Sequence, residues 1–494
     1  MTATTAAAAV AAAVDSIPVS LTDQHRPIPN IRTRTFFIVK ARLDADALKS
    51  GLDTLIREHY RKLGGRLVLN SATDMFEYRV PNTFPPADKY ELFLWSTESK
   101  AQSIEAAAPD LMKTPPVETS EGGGGIAFLP AVTHYDEQFR PASWPYDFNE
   151  GPKDAPILFF HLTLYEDATV IAISLPHVVG DQLGTASLMR AWMNVVAGQA
   201  PPALMEEDPM PAGREFSSLT KEEARRKGKM RVRRTGEYAF VIMGFIPDLV
   251  FNSEEAHHIM FLPMTTVKSL RARITKALQA NGGDPGISDN DVITAVLAKL
   301  SRAHKGPTTM TLSQSVNLRG RVPKLTGSAV DGFLHNGVAH ASSRFHMDKN
   351  TSLAEIAKNN REAIREMMDP ATTDIRLAVA REMVRRKQGM HICEPFEKSY
   401  SVTSWPAAWK DLDFSPAVAG HTNGSGDASS AQTPLQPPEV FVIGRGGERA
   451  TPHRFHSTVM FRNDAGYWCD IGCTKKNLAA IKAYLAQDPK LEKL

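Results

Sequence analysis

The stretch Ser174-Leu-Pro-His-Val-Val-Gly-Asp181 joins a strand pattern to a helix pattern, and this junction decides the fold. Two apolar runs, at 157–165 and 169–175, flank a short turn and predict a β-hairpin. After Asp181, apolar residues recur at helical spacing until Gly198. The chain therefore passes from a buried strand through a tight loop into a helix, which is typical of α/β folds.

His177 lies in this loop, where a catalytic histidine would be well placed. A neutral imidazole can take a proton from a hydroxyl or an amine as that group attacks a carbonyl. Asp181 could orient the ring, or it could form a buried ion pair that fixes the loop; the sequence leaves both readings open. The chain has 15 histidines and 55 acidic residues, so an isolated pattern of this kind is more often structural than catalytic.

Composition narrows the possible partners. The chain has 494 residues, with 57 Lys and Arg against 55 Asp and Glu. This balance gives no global field that favours nucleic acid or an anionic membrane, and we expect neither as a partner. Only three cysteines are present, which favours a reducing compartment, and no apolar run approaches the length of a membrane span. We therefore expect a cytoplasmic protein.

The chain divides into two lobes. We predict a disordered Ala-rich tail at 1–17, an N-terminal lobe at 18–205 that carries the His177 loop, a basic crossover linker at 206–240 and a C-terminal lobe at 241–494. Glycine-rich or polar loops are expected at 121–125 and 420–434. Strands and helices mix in both halves without a short repeat, which predicts a two-lobed α/β architecture.

The linker contains seven basic residues in ten positions at 225–234. Such a run could be a nuclear-import signal or a nucleic-acid patch, but a solvated linker or rim is the favoured interpretation.

Several enzyme motifs are absent from the sequence. It contains no GxxxxGK[ST] phosphate loop, no HExxH zinc helix and no GxSxG nucleophile elbow. The glycine-rich segment at 444–447 is interpreted as a turn. His453 and His456 lie near Cys469 and Cys473, but their spacing matches no common zinc module, so we expect buried structural thiols and no metal.

The segment Pro176-His-Val-Val-Gly-Asp181 and the helix after it resemble the HxxxD segment of the BAHD acyltransferases and their fungal relatives. Further segments resemble family motifs in the expected order, from residue 19 to residue 485: Val19–Asp23, Lys62–Arg66, Asp291–Leu300, Ser315–Arg319, Phe333–Gly337, Val402–Trp405 and Asp411–Phe414.

The resemblance implies a two-lobed sandwich of the chloramphenicol-acetyltransferase type, with a tunnel between the lobes. It implies a monomeric acyltransferase that moves an acyl group from a coenzyme A thioester to the hydroxyl or amine of a small molecule, here a secondary metabolite. No cofactor is bound permanently, and no metal or acyl-enzyme is needed.

The same resemblance assigns residue roles. His177 is the general base, and Asp181 pairs with Arg319 more readily than it relays charge. The indole N–H of Trp405 donates to the oxyanion of the tetrahedral intermediate.

The remaining implied roles are binding and support. Thr403 and Ser404 line the channel, and Asp413 supports the site. Asn336 either helps to order the second lobe near the site or packs in the core. Lys268, Ser269 and Arg271 lie where the family often holds the nucleotide of coenzyme A, although a solvated helix face is the favoured interpretation.

Two departures from the family pattern stand out. Gln182 follows Asp181 where plant enzymes usually have glycine, and Ser415-Pro-Ala417 replaces a Gly-Trp-Gly segment, so we expect a rebuilt loop with activity kept. Pro176 stands where peptide-synthetase condensation domains have a first histidine. The alternatives are a donor tethered to a carrier protein docked on the basic run, a cyclase or isomerase on the same fold, or an inactive binding protein.

Overall fold

The computed structural model describes residues 13–113, 125–206, 210, 213–251, 253–283, 286–322, 324–420 and 436–493. All but one residue of each predicted loop, at 121–125 and 420–434, and most of the predicted tail at 1–17 lie outside the described residues.

The strands in the described residues are, in chain order, β1 (Val14–Pro18), β2 (Arg32–Val39), β3 (Arg66–Asn70), β4 (Met75–Pro81), β5 (Leu94–Ser99), β6 (Ala127–Leu129), β7 (Phe159–Leu164), β8 (Thr169–Pro176), β9 (Glu255–Pro263), β10 (Thr308–Asn317), β11 (Val338–Met347), β12 (Lys398–Ser404), β13 (Val440–Arg445), β14 (His456–Arg462) and β15 (Gly466–Thr474).

The α-helices are α1 (Ala45–Thr54), α2 (Ile104–Ala107), α3 (Pro109–Met112), α4 (Val132–Phe139), α5 (Gln182–Val196), α6 (Lys221–Arg225), α7 (Glu237–Phe251), α8 (Met264–Ala280), α9 (Asp289–Leu300), α10 (Leu353–Met368), α11 (Pro370–Arg385) and α12 (Lys475–Gln487). The predicted hairpin and the helix after Asp181 are confirmed as β7, β8 and α5.

Two large sheets form the two lobes. A five-stranded sheet has the order β13-β2-β8-β7-β5, and a seven-stranded sheet has the order β11-β10-β12-β14-β15-β9-β6. A small third sheet, β1-β4-β3, completes the first lobe. Mixed strands and helices in two lobes confirm the predicted α/β class.

The pleat of the seven-stranded sheet separates two environments, because successive side chains point to opposite faces. Val402, Val459 and Cys469 join the apolar cluster formed with α8, α9 and α10. Trp405 and Trp468 instead join the cluster of the five-stranded sheet. One face of the larger sheet therefore packs on its own helices, and the other faces the first lobe.

The lobes exchange strands, which differs from the predicted division of the chain. β13 lies within the proposed C-terminal lobe at 241–494 but pairs with β2 in the five-stranded sheet. β6 lies within 18–205 but pairs with β9 in the seven-stranded sheet. Local sequence patterns do not predict these two pairings, because each strand and its partner are more than 100 residues apart in the chain.

Two boundary predictions are corrected. The expected disordered tail at 1–17 includes most of β1, which pairs with β4, because Val14–Pro18 can complete the edge of the small sheet. The predicted linker at 206–240 contains α6 and the start of α7. The charged sequence of α6 has no apolar periodicity, so the sequence alone did not indicate this helix.

Candidate active site

His177 is held by backbone contacts from both lobes. It follows the last residue of β8, and its N–H donates to the carbonyl of Ile31 at 2.8 Å. The side-chain amide of Asn336, from the second lobe, donates to the carbonyl of His177 at 2.9 Å. The residue is half-buried, and its Nδ1 is buried with no hydrogen-bond partner in the described part of the chain. These two hydrogen bonds therefore fix the backbone of His177, while its Nδ1 makes no hydrogen bond in the described residues.

The Asp181 carboxylate uses all its acceptor capacity away from His177. It caps α5 by accepting the N–H of Gly184 at 2.8 Å, and it also accepts the N–H of Gly337 at 3.0 Å. Arg319 donates two N–H groups to it, at 2.8 and 2.9 Å, in a buried bidentate pair. The expected pair is confirmed, and of the two roles left open for Asp181 the contacts favour fixing the loop.

Arg319 extends this contact into the second lobe. It donates to the carbonyl of His335 at 2.8 Å, and its guanidinium lies 4.9 Å from the ring centre of Phe333. The segment Phe333–Gly337 is thereby attached to the His177 loop.

Two glycines allow the second lobe to approach this loop. A Cβ atom on Gly180 would lie 2.2 Å from the carbonyl oxygen of Leu334, and one on Gly184 would lie 1.8 Å from the same atom. Gln182, where the family usually has glycine, instead bonds to the hydroxyl of Thr35 at 3.1 Å. Glycine is thus required at positions 180 and 184, where a side chain would collide with Leu334. The side-chain amide of Gln182 is buried and hydrogen-bonded.

A row of polar residues crosses the seven-stranded sheet on the face toward the first lobe. His340 pairs with Ser315, and the next strand places Thr403 beside Ser315, one residue beyond the pair Gln314 and Val402. Thr403 pairs with Thr458, which pairs with Asp470. Paired residues share a face, so this polar row runs about 19 Å across five strands at ~4.8 Å per step.

Both ends of the polar row are close to groups of the first lobe. Burial, followed by the nearby His177, lowers the pKa of His340. Burial opposes ionisation of Asp470, but His453, followed by Arg445 on β13, lowers the pKa of this carboxyl. The space between the two sheets is therefore lined with hydrogen-bonding groups at the level of His177.

A cavity opens beside the His177 end of the polar row. It is lined by polar side chains that include His25, Asn336 and His340, and by apolar ones that include Met230 and Leu377. Burial lowers the pKa of His25 from 6.5 to about 4, assisted by His340. Burial, followed by the nearby His177, likewise lowers the pKa of His340 to about 4. Both cavity histidines are neutral near pH 7.

Trp405 lies at the border between the lobes. Its side chain is 8% exposed, and its ring lies 3.2 Å from the place of a Cβ on Gly444 of β13. The indole nitrogens of Trp192 and Trp409 donate to backbone carbonyls, at 2.9 Å in both cases, whereas the indole of Trp405 has no such partner in the described part of the chain. Its N–H is therefore unused.

The other predicted site residues are dispersed. Thr403 is half-buried within the polar row, and its neighbour Ser404 is exposed. Asp413 is exposed and accepts only from the N–H and hydroxyl of Ser415, at 2.8 and 2.6 Å, among the described residues. Its short side chain therefore holds a surface turn, and its support of the site stays a prediction.

The predicted nucleotide-binding residues lie on α8. Lys268 and Ser269 are exposed, and Arg271 forms an ion pair with Asp289 at 2.7 Å. The exposure of Lys268 and Ser269 matches the alternative of a solvated helix face.

A second cavity is lined by Arg302, Lys305 and Lys398, but it lies near Met310 at the start of β10. Arg319 lies beyond the other end of this strand, which is about 23 Å away at ~3.3 Å per residue. This basic cavity therefore does not belong to the His177 site.

His453 and the three cysteines are buried within the fold. His453 lies 2.9 Å from Asp470 in a fully buried pair. Cys393, Cys469 and Cys473 are buried and unpaired, as predicted, and burial raises the pKa of the Cys393 and Cys473 thiols to about 11.

Sequence reasoning missed His25 and His340. The signal for His340 was present, because it lies on a strand with alternating small and polar residues directly after Phe333–Gly337. His25 follows the segment Val19–Asp23, but nothing local indicates that it shares a cavity with a residue 315 positions away.

The comparisons with known proteins agree with this architecture. No family model matches the chain. The O-acyltransferase pboC of Aspergillus ustus is 28% identical over 319 residues, which cover 60% of this chain and 62% of that protein, so the match spans less than two thirds of its length. The acetyltransferase adrJ of Penicillium rubens is 23% identical over 424 residues and 81% of each chain.

A solved structure shares the fold. TRI101 of F. graminearum, complexed with coenzyme A and T-2 mycotoxin, has a TM-score of 0.64 at 13% identity and covers 95% of this chain and 97% of its own. The fold class is therefore the two-lobed α/β sandwich of the chloramphenicol-acetyltransferase type. In sequence, the chain is similar to fungal proteins named as an O-acyltransferase and an acetyltransferase.

Proposed function

We propose that this protein transfers an acyl group from a coenzyme A thioester to a hydroxyl, or an amine, of a small secondary metabolite. The observation that carries the proposal is the position of His177: its backbone is bonded to Ile31 and Asn336, and Asn336 and the neighbouring His340 line a cavity between the lobes. The names of pboC and adrJ support the same reaction class.

His177 acts as general base in this proposal. Its Nδ1 is buried, so Nε2 is the nitrogen that takes the proton from the acceptor hydroxyl. The acceptor oxygen then attacks the thioester carbonyl, and a tetrahedral intermediate forms. When this intermediate collapses, the carbon–sulfur bond breaks and the proton passes from Nε2 to the leaving thiolate, which restores the neutral imidazole.

Trp405 donates its unused indole N–H to the oxyanion of that intermediate, and the hydroxyl of Thr403 lines the same passage. Such donors contribute most in a space from which water is excluded. Asp181, Arg319 and Asn336 act as positioning residues, because their bonds end on the backbone of the loop or on each other.

The cavity beside His177 indicates the chemistry of the acceptor. Neutral His25 and His340 can each donate and accept a hydrogen bond, and Met230 and Leu377 supply apolar wall. A hydroxylated molecule with an apolar body fits this lining. Because Asp23 and Arg376 also line the cavity, the lining does not require an uncharged acceptor.

The donor is coenzyme A itself in our proposal, and Lys268, Ser269 and Ser404 are candidate contacts for its polar end. A carrier protein is less well supported, since four of the seven basic residues at 225–234 are used within the fold. We further propose that the protein is a cytoplasmic monomer whose lobes correspond to 18–205 and 241–494, apart from the exchanged strands β6 and β13, with the crossover at 206–240 between them.

Thiol release measures this function directly. Acyl-CoA and a hydroxylated acceptor should give acceptor-dependent release of free coenzyme A. If release is absent across a panel of acyl donors and terpenoid or polyketide alcohols while coenzyme A still raises the melting temperature, the protein binds the donor without acyl transfer.

A further inference from the structure

The face of α7 that points away from the protein is entirely apolar. Nine large hydrophobic side chains are exposed in the described residues, and six of them lie on this one helix. The two other exposed positions of the helix are also uncharged, Ala239 and Pro247. The six exposed side chains, between 41% and 81% exposed, are Phe240, Ile242, Met243, Ile246, Val250 and Phe251.

Phe396 extends this face from a neighbouring loop. Its side chain is 60% exposed, and its ring centre lies 5.7 Å from that of Phe240. Its φ angle is 62°, a conformation that is rare and costly for a bulky residue. Gly244 permits the close approach, because a Cβ there would lie 2.9 Å from the Cα of Phe396. The loop therefore holds an aromatic ring in solvent, next to Phe240. We call Phe396 and the exposed face of α7 the apolar patch.

The helix is firmly attached through its other face. Val241 and Phe245 are buried, and Lys398 donates to the carbonyl of Gly244 at 2.6 Å. Asp248 forms ion pairs with Lys305 and Lys398, both at 2.9 Å. The buried face of α7 therefore holds the helix in a fixed position, and the exposed side chains stay together on the surface.

Unpaired cations precede the patch in the chain. Within the basic run, Arg226 and Lys229 pair with Glu366, Arg231 pairs with Glu394, and Arg233 donates to backbone carbonyls. The remaining three are exposed and form no ion pair in the described part of the chain: Arg225, Lys227 and Arg234. Arg234 lies three residues before the first residue of α7.

We propose that the apolar patch and these three cations dock the protein on an anionic lipid surface. A face with no polar side chain differs from a protein interface, where polar groups surround an apolar centre. The 15-residue helix would be about 22 Å long, too short to span a bilayer, and no helix of the described chain is long and apolar enough to do so. An in-plane helix with basic flanks fits the interface instead. This proposal departs from the expectation of no membrane partner and does not depend on the proposed function.

Vesicle flotation with the full-length protein tests the proposal. Vesicles of phosphatidylcholine with about one third phosphatidylserine should carry the protein upward, and added salt should weaken this binding. The double variant Phe240→Ser, Ile246→Ser should lower the partition coefficient at least about tenfold, since each side chain is inserted in the bound state. Leu69→Ser is the matched control, because Leu69 is 49% exposed on β3 and lies outside the patch.

The cations have their own test. Lys227→Gln and Arg234→Gln should each weaken binding to the anionic vesicles about fivefold, which corresponds to ~1 kcal/mol per charge, without changing binding to pure phosphatidylcholine. The proposal is overturned if the protein floats with neither vesicle or if the double variant binds as the parent does. It is also overturned if the parent is a dimer by light scattering and the double variant is a monomer, because the patch would then contact a second copy. Thiol release is not a readout of this experiment.

Discussion

Arg319 and Asp181 join the two lobes through two parallel hydrogen bonds of 2.8 and 2.9 Å, both buried. Asp181 begins α5 in the first lobe, while Arg319 follows β10 in the second. The pair holds the loop of His177 without touching its ring in the described structure. Asp181 and Arg319 therefore position the loop, whereas His177 is the proposed base, and substitutions can test these two roles separately.

Asp181→Asn should destabilise the fold while leaving the identity of the base unchanged. Arg319 would keep a buried charge without its partner, at a cost of about 3–5 kcal/mol. Thermal unfolding should show a large fall in Tm. An unchanged Tm would mean that the pair is not formed in solution.

His177→Ala should lower activity and leave stability nearly unchanged. We expect the loss of general-base catalysis to lower kcat by about 100-fold or more, because the other histidines nearby, His25 and His340, have pKa values of about 4 and are weak bases. The Tm should be within about one degree of the parent, since the ring Nδ1 bonds to nothing in the described chain. Thiol release as fast as that of the unmodified protein would exclude His177 as the base.

Trp405→Phe should separate packing from hydrogen bonding. The phenyl ring fills much of the same space against Gly444 but has no N–H, so kcat should fall by about 10- to 100-fold with little change in KM. Thr403→Ser is the companion variant, and it should retain activity because the hydroxyl remains. If Trp405→Phe alters stability but not kcat, the indole only packs between the lobes.

Gly184→Ala should prevent normal docking of the lobes. Its Cβ would lie 1.8 Å from the carbonyl oxygen of Leu334, so either the backbone shifts or the contact opens. We expect a loss of more than about 3 kcal/mol in the free energy of unfolding. Gly306→Ala is the control, because no atom lies within 4 Å of its Cβ position and its effect should be small. Equal effects of the two substitutions would contradict the close approach.

The cavity histidines predict a loss of stability in acid. The pKa values of His25 and His340 are about 4 in the folded protein and 6.5 in the unfolded reference, so between these values the unfolded chain binds more protons. Stability is complete above pH 6.5 and falls as the pH drops toward 4. At pH 5 each histidine should have lost about 2 kcal/mol.

Denaturant unfolding from pH 7 to 5 measures this loss, and His340→Gln should reduce the slope with pH. An identical slope in that variant would mean that His340 is protonated equally in both states.

Local structure was largely predictable from the sequence, because it follows from residue spacing. The hairpin β7–β8 and helix α5 appear where apolar periodicity and Asp181 indicated them. The placement of β6 and β13 in the opposite lobe was not predictable, since strand pairing depends on neighbours that are distant in the chain.

The site residues also divide into those that local motifs predicted and those that depend on distant parts of the chain. His177, Asp181, Arg319 and Asn336 were named from motifs, and the structure brings them together. Asp413 was also named from a motif, and among the described residues it bonds only to Ser415. His25 and His340 were missed, because a cavity histidine is recognised by its three-dimensional neighbours.

The insertion of β13 beside β2 has a consequence during synthesis. One edge of β2 (Arg32–Val39) has no partner until residues 440–445 have been made, which takes several tens of seconds at roughly 5–20 residues per second. Throughout this time, the nascent first lobe exposes an open strand edge whose second half, Phe36–Val39, is apolar, and such an edge is a template for wrong pairing. A truncated chain that stops before β13 should therefore be recovered in aggregates, and a chaperone that covers open strand edges should raise the yield of the full-length protein.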